Sequence, residues 1–547
     1  MRERELGRAP CAVLSSPLIP KLLLPALLHL TSFSVAASEA AILQARTLTQ
    51  VFANAVTGNE KMQEAVLPDL GLAASKTLPS TGQSPGVRVL LRILASSDGQ
   101  TRIATSVLLL NIFKGQARRG KAFLELDDAR DILGALLENA KEAVREMEEA
   151  EDAAAQTNGQ ASSLTSARTD PEHFGISYEF FADLFANGLF AHLFRRLAPA
   201  GPAQQEVDDA QALESSVSQH QLTLLKLLDA FLHSQPGRYL ADTGLAGSEG
   251  DLLVLVSSFI QLAQSAEASM KLILSTASAP PSSASEARAE QLILHEQTLV
   301  AQHEALLLHL QCLQYLVLLD GDRVTDVRAP DEAHASPSLV GAAKDATEAM
   351  RQRADFIQRV VSLLHATSLF SPPISPFKPT DGTSATPRGA PDGSRLSSTG
   401  RALSMPADGP ASKRPALASL KRDLVRLLGA LAYVEPERSG ALRYELEGEA
   451  APAEPAAGTG GGRQDSAAAQ EYAARKAHGK LVQDRVREAG GLWDVLNLTQ
   501  LDELNPYIRE HALFALRNLL VGNPASQELV AQLKPVTPEE AAAASSS

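Results

Sequence analysis

The stretch Asn505-Pro-Tyr-Ile-Arg-Glu-His-Ala-Leu-Phe-Ala-Leu-Arg-Asn-Leu-Leu-Val-Gly522 carries a helix start signal, an apolar period and a stop signal that agree with one another. Asn505 is suited to cap the free N–H groups of a first turn, and Pro506 stands where a missing N–H costs nothing. Gly522 supplies the left-handed residue that ends a helix. Ile508, Ala512, Ala515 and Leu519 recur at intervals of four, three and four, so they form one face, and that face must be buried. Upstream, Leu481 to Glu488 reads as a short helix stopped by Gly490-Gly491, and Leu492 to Leu498 as a second. Downstream, Asn523-Pro524 opens another short helix through Leu533. One short first helix follows the last by about 44 residues, within the period of armadillo and HEAT units.

The same residues resemble the ataxin-10 family, whose C-terminal domain carries a segment of the form N-P-[FY]-I-x-E-x-A-[IL]-[FY]-A-[IL]-R-N-L. Lys421-Arg-Asp-Leu-Val-Arg-Leu-Leu-Gly-Ala-Leu-Ala-Tyr433 and Asp484-Arg-Val-Arg-Glu-Ala-Gly-Gly-Leu492 are similar to two further family segments. The resemblance covers about 80 of the last 130 residues. Ala430 stands where the family usually has Asn, and an insert of about 40 low-complexity residues separates Tyr433 from Lys480. It implies an all-α, armadillo/HEAT-like helical solenoid, a non-enzymatic adaptor, and a link to the regulation of cytokinesis.

Composition bounds the rest. The 547 residues exceed what one core needs; 44% are hydrophobic and only 4% aromatic, so the apolar content is largely Leu and Ala, which favours helices. A net charge of -14 argues against nonspecific binding to nucleic acid or anionic membranes. Cys11 and Cys312 offer no disulfide framework, and such scarcity suits a reducing compartment, so the expected location is cytoplasmic. Arg2, Arg4 and Arg8 precede an apolar run as in a signal peptide, but Lys21 interrupts it and Pro17, Pro20 and Pro25 break it. The expectation is a first solenoid helix. The run Ala305 to Leu319 is interrupted by His309, Gln311 and Gln314, and no bilayer span is expected.

Along the chain, Val87 to Leu94 and Arg102 to Phe113 form a helix pair, and the second overlays the C-terminal helix with Arg102 on Arg509, Asn111 on Asn518 and Gly115 on Gly522. Ile132 to Val144 is amphipathic and runs into acidic residues that read as a solvated helix end. Phe174 to Leu197 holds seven aromatic residues at helical spacing, read as core. Leu222 to Leu232, Leu252 to Leu262, Glu286 to Leu319 and Ala342 to His365 read as further helices. The domains expected are a helical region over 1–366, a disordered Ser/Pro/Thr-rich linker over 367–416, a C-terminal domain over 417–536 with a low-complexity insert at about 436–477, and a disordered tail over 537–547. Within the insert, Ala451 to Arg463 is a second disordered segment.

No catalytic, cofactor or metal site is expected. His295-Glu296 and His303-Glu304 begin zincin-like patterns, but Leu299 and Leu307 stand where the second His should be. Asp320, Asp322 and Asp326 fall at calcium-loop positions, with Val324 and Thr325 replacing a ligand and the turn glycine. Phosphate-cradling loops and the G-x-S-x-G elbow lack their markers. Fungal relatives of the family carry a copper-transport name, yet two distant Cys and six scattered Met do not make a copper(I) site. A nuclear-import-type receptor needs Trp and Asn one turn apart, whereas Phe514 precedes Asn518, Val107 precedes Asn111, and Trp493 lies on another helix.

The binding surface expected is a groove lined by Tyr507, His511, Phe514 and Asn518, adjacent to the buried stripe, where an Asn amide can pair with the backbone of a bound segment. The alternative is that Phe514 packs between repeats and Asn518 bonds a neighbouring helix or loop. Arg401-Ala-Leu-Ser-Met-Pro406 fits the pattern read by 14-3-3 proteins once Ser404 is phosphorylated. Protein partners, including a second copy of this chain, are thus expected, and nucleic acid is not.

Overall fold

The computed structural model describes residues 18–32, 34–36, 38–73, 83–156, 171–199, 217–235, 250–278, 285–319, 337–371, 417–433, 462–502 and 505–532. Ser404, Cys11, most of the linker, residues 436–461 of the insert and the 537–547 tail lie outside them. Among the described residues the regular structure is entirely helical, in nineteen helices. Packing divides the chain into Met1–Val207 with Val217–Leu255 and Ala335–Ala342, and Asp208–Ser216 with Val256–His334 and Ala343–Ser547.

The first unit is a repeat of three helices. α1 (Leu18–Leu30), α2 (Glu39–Val56) and α3 (Glu60–Val66) are followed by α4 (Pro85–Leu94), α5 (Gly99–Phe113) and α6 (Ala117–Leu124). Then come α7 (Ala129–Gln156), α8 (Pro171–Ala186), α9 (Phe190–Arg196) and α10 (Gln219–Ser234). α1, α4, α7 and α10 pack in sequence as one layer, and α2, α5 and α8 as a second. Each second-layer helix ends at a left-handed glycine before its short third helix: Gly58, Gly115 and Gly188 have φ of 63°, 68° and 67°. An L side chain is strained there, which is why glycine recurs. The N-terminal apolar run is helical, as α1, with Pro20 and Pro25 inside it. The aromatic run forms core: Phe180, Phe181, Phe185, Phe190 and Phe194 are buried, while Phe174 and Tyr178 stack on each other half-buried.

The second unit contains most of α11 (Asp251–Ser278) and of α13 (Pro337–Gln352), with α12 (Ser285–Leu319), α14 (Ala354–Phe370) and α15 (Ala418–Leu431). α16 (Gly462–Glu488), α17 (Gly491–Asn497), α18 (Ile508–Leu520) and α19 (Pro524–Ala531) complete it. α12, α15 and α18 lie side by side in that order; α14 packs on α15, α16 and α17. Gly522, with φ of 65°, joins α18 to α19 as its counterparts join the helices of the first unit, so the overlay of Gly115 on Gly522 reflects the same turn.

Several helices depart from expectation. Ala342 to His365 is two helices broken at Arg353, whose backbone is extended and whose guanidinium pairs with Asp355 at 2.5 Å. The break leaves the Arg351 carbonyl free to accept from Arg485 at 2.7 Å. α14 continues to Phe370, past the expected linker start at Thr367, because Thr367 and Phe370 are both buried. α16 begins at Gly462, well before Leu481, so the end of the low-complexity insert is helical. Asp251–Thr276 is long and apolar enough to cross a membrane by length and composition, which the search for uninterrupted runs did not single out. Its Phe259 packs edge-on against Phe356 at 5.6 Å, and its buried Glu267 pairs with Arg359 at 3.1 Å, the packing of a core helix.

Candidate protein-binding strip on the C-terminal unit

Helix ends leave their last four carbonyls without intrahelical donors, and short helices therefore need many external donors. Here, side-chain amides of neighbouring helices supply them. Asn139 donates to Leu94 O at 3.0 Å, and Gln221 to Phe194 O at 2.7 Å. Gln63 donates to Val56 O and Asn111 O, and Gln483 to Asn518 O and Val521 O. The carbonyls of Asn111 and Asn518, matched in the sequence overlay, are thus both held by a glutamine.

Two asparagines stitch α18 to α15. Asn505 Nδ2 donates to Ala418 O and Asn518 Nδ2 to Gly429 O, both at 2.8 Å. N-end meets N-end and C-end meets C-end, so the helices run parallel. Arg351 completes the α15 C-terminus through Leu431 O and Tyr433 O, both at 2.8 Å. Between the stitches the backbones approach closely: a Cβ on Gly429 would lie 3.0 Å from Ala515 Cα and 3.1 Å from Phe514 Cδ1.

This geometry sorts the residues expected to bind. Ile508, Ala512, Ala515 and Leu519 are buried as the period required. Asn505 does not cap α18, which begins at Ile508 after a proline turn; its side chain serves α15 instead. Asn518 is buried with its amide N–H on Gly429 O, so it is a stitch between helices and does not line a groove. Phe514 is half-buried beside Gly429, His511 is half-buried, and Tyr507 is 65% exposed. Asn523, one residue beyond Gly522, does cap its helix, accepting from Ser526 N at 3.1 Å.

Residues that the periodicity did not single out complete the surface. Ser419, Arg422, Arg426 and Ala430 form the partly exposed strip of α15. Asp423, almost fully buried, accepts from Arg422 at 3.1 Å and lies 3.7 Å from Arg426. His511 is held below its usual pKa by burial and then by Arg426 and Arg422, which places those guanidinium groups beside it. On α12, Gln314 donates to Asp423 O at 2.5 Å, and buried His303 has its pKa pushed down to about 4 by desolvation. Ala430, where the related family usually has Asn, leaves this strip without an amide. No group of three metal-ligating side chains occurs among the described residues.

The fold and this surface define the chain as an all-α protein of the helical-solenoid class. Residues 476–545 match the family model described as spinocerebellar ataxia type 10 protein domain, spanning α17, α18 and α19. The similarity to the ataxin-10 family is confined to this C-terminal segment. It is 46% identical over 52 residues to an ataxin-10 homolog of Dictyostelium discoideum, covering 10% of this chain and 8% of that protein. Homologs of Kluyveromyces lactis and Candida albicans are each 44% identical, over 55 and 52 residues, covering 10% of this chain and 10% and 11% of theirs. The chain thus matches about a tenth of the length of these relatives. A crystal structure of an engineered protein aligns over 90% of this chain and 98% of its own at a TM-score of 0.22 and 14% identity.

Proposed function

We propose that this protein is a non-enzymatic cytoplasmic adaptor that holds protein partners on the α12–α15–α18 layer of its C-terminal unit, in a role linked to the regulation of cytokinesis. The observation that supports this is the division of labour along α18. Its apolar stripe and both stitching asparagines are consumed in packing, while Tyr507, His511 and Phe514 remain accessible beside two half-exposed arginines. Partly exposed aromatic and Arg side chains on a rigid helical layer are the groups that dominate protein interfaces. The family resemblance supports the cytokinesis link. Phosphorylated Ser404 would add a 14-3-3 contact outside this surface, and a second copy of the chain is a further partner consistent with the reading.

The test is affinity purification of the tagged full chain in parallel with Tyr507→Ala. A defined set of partners that is lost with Tyr507→Ala supports the reading. Stoichiometric copper or zinc in the purified protein would overturn it in favour of a metal-handling role.

A further inference from the structure

We propose that the strip of Arg422 and Arg426 on α15, flanked by His511 and Tyr507 on α18, is a docking site for an acidic peptide segment of a protein partner, seating a Glu or Asp carboxylate between the two guanidinium groups. The proposal rests on the adaptor reading and names the chemistry of its partner.

Three observations carry it. Arg422 and Arg426 share a single carboxylate: Asp423 is 4% exposed and turned under them, while the arginines are 38% and 40% exposed. A guanidinium has five N–H donors, so one shared carboxylate leaves donors on both arginines facing outward, with one positive charge in excess. The second observation is His511. Burial, then Arg426 and Arg422, disfavour its protonated form, against the opposing pull of Asp423 and Glu510, so both guanidinium groups act on this one ring. The third is His303, 7% exposed, whose Nε2 has no hydrogen-bond partner although Asp423 lies near enough for its charge to act on the ring. A buried polar atom without a partner marks an incompletely satisfied site.

The sign of the charge selects the partner. Two arginines and a neutral histidine suit one or two carboxylates, not the run of phosphates that nucleic acid presents, which needs an extended basic surface. The smallness of Ala430 and Ser419 leaves room for an extended backbone along α15.

The experiment uses the full chain and three short dye-labelled peptides in which Gly alternates with Glu, Gln or Lys, read by fluorescence anisotropy at low ionic strength. The Glu peptide is expected to bind, weakening with added salt, and the Gln and Lys peptides are not. The triple variant Arg422→Gln/Asp423→Asn/Arg426→Gln, which removes both signs together and leaves no buried charge unpaired, is expected to weaken binding roughly tenfold or more at an unchanged melting temperature. Should that variant misfold, Arg426→Gln alone keeps Asp423 paired with Arg422 and is expected to weaken binding severalfold. Absence of Glu-peptide binding, equal binding of the Lys peptide, or unchanged binding by the folded variants overturns the proposal. If the Glu peptide fails while Tyr507→Ala still abolishes partner capture, the acidic chemistry is wrong and the adaptor reading stands. If the Glu peptide binds as expected while Tyr507→Ala keeps every partner, the docking site stands and the adaptor reading falls.

Discussion

Replacing Asn518 by Ala removes the donor that satisfies Gly429 O, and the structure sets what that costs. Gly429 lies in the last turn of α15, where Tyr433 N, the intrahelical candidate donor, is engaged with Ala430 O at 3.3 Å. The bond between Asn518 Nδ2 and Gly429 O is buried, as is the Asn518 residue that makes it. A buried carbonyl left unpaired costs about 1–3 kcal/mol. For a unit of this size that corresponds to a fall in melting temperature of about 2–4 °C per kcal/mol. Thermal denaturation of the full chain, followed by circular dichroism, measures it. Leu513→Ala, at a residue 48% exposed on the same helix, is the control and is expected to stay within about 0.5 kcal/mol of wild type. The reasoning is refuted if Asn518→Ala melts with the control. In that event the Gly429 carbonyl finds water, and the stitch contributes nothing.

Further outcomes follow from other sites. Gly86→Ala is expected to destabilise the first unit strongly, because its Cβ would lie 2.3 Å from Asp69 O and 2.4 Å from Leu70 Cα, backbone atoms that cannot rotate away; failure to express as folded protein, or a large fall in melting temperature, is the readout. His309 is fully buried, donates from Nδ1 to Ala305 O, accepts at Nε2 from the Ser258 hydroxyl, and has its pKa lowered to about 4 by burial. Between pH 6.5 and 4 the unfolded chain binds a proton that the folded chain does not, so stability rises with pH across that window, by up to ~3 kcal/mol from this group. His309→Gln is expected to flatten that slope in pH-dependent denaturation. Tyr507→Ala, at an exposed side chain, is expected to leave the melting temperature within about 0.5 kcal/mol of wild type.

Much of the fold was legible because period and punctuation coincide. The four residues of the α18 stripe, the left-handed Gly522 and the Asn523 cap all follow from local rules. What local rules cannot assign is the destination of a buried amide. Asn505 has the residue type and position of a cap, and Asn518 those of a groove residue; both instead reach 87 and 89 residues back to α15. The same limit hides Gln63 and Gln483, which look like surface residues of their helices until the carbonyls they serve are seen. Arg422 and Arg426 were visible in the sequence, but their role depends on the burial of Asp423 between them, which spacing does not reveal. The break at Arg353 was missed because the apolar residues of α13 and α14 continue across it.

The central claim, that the accessible strip of α15 and α18 holds protein partners while the rest of α18 is structural, is tested most directly by quantitative affinity capture with the tagged full chain and two matched variants. Tyr507→Ala/Arg426→Gln alters only the strip, and Leu513→Ala/Arg517→Gln alters the outward face of the same helix. Loss of the partner set from the strip variant alone, with all three proteins melting together, is the predicted result. An identical partner set from all three, or its loss only from the outward-face variant, contradicts the account.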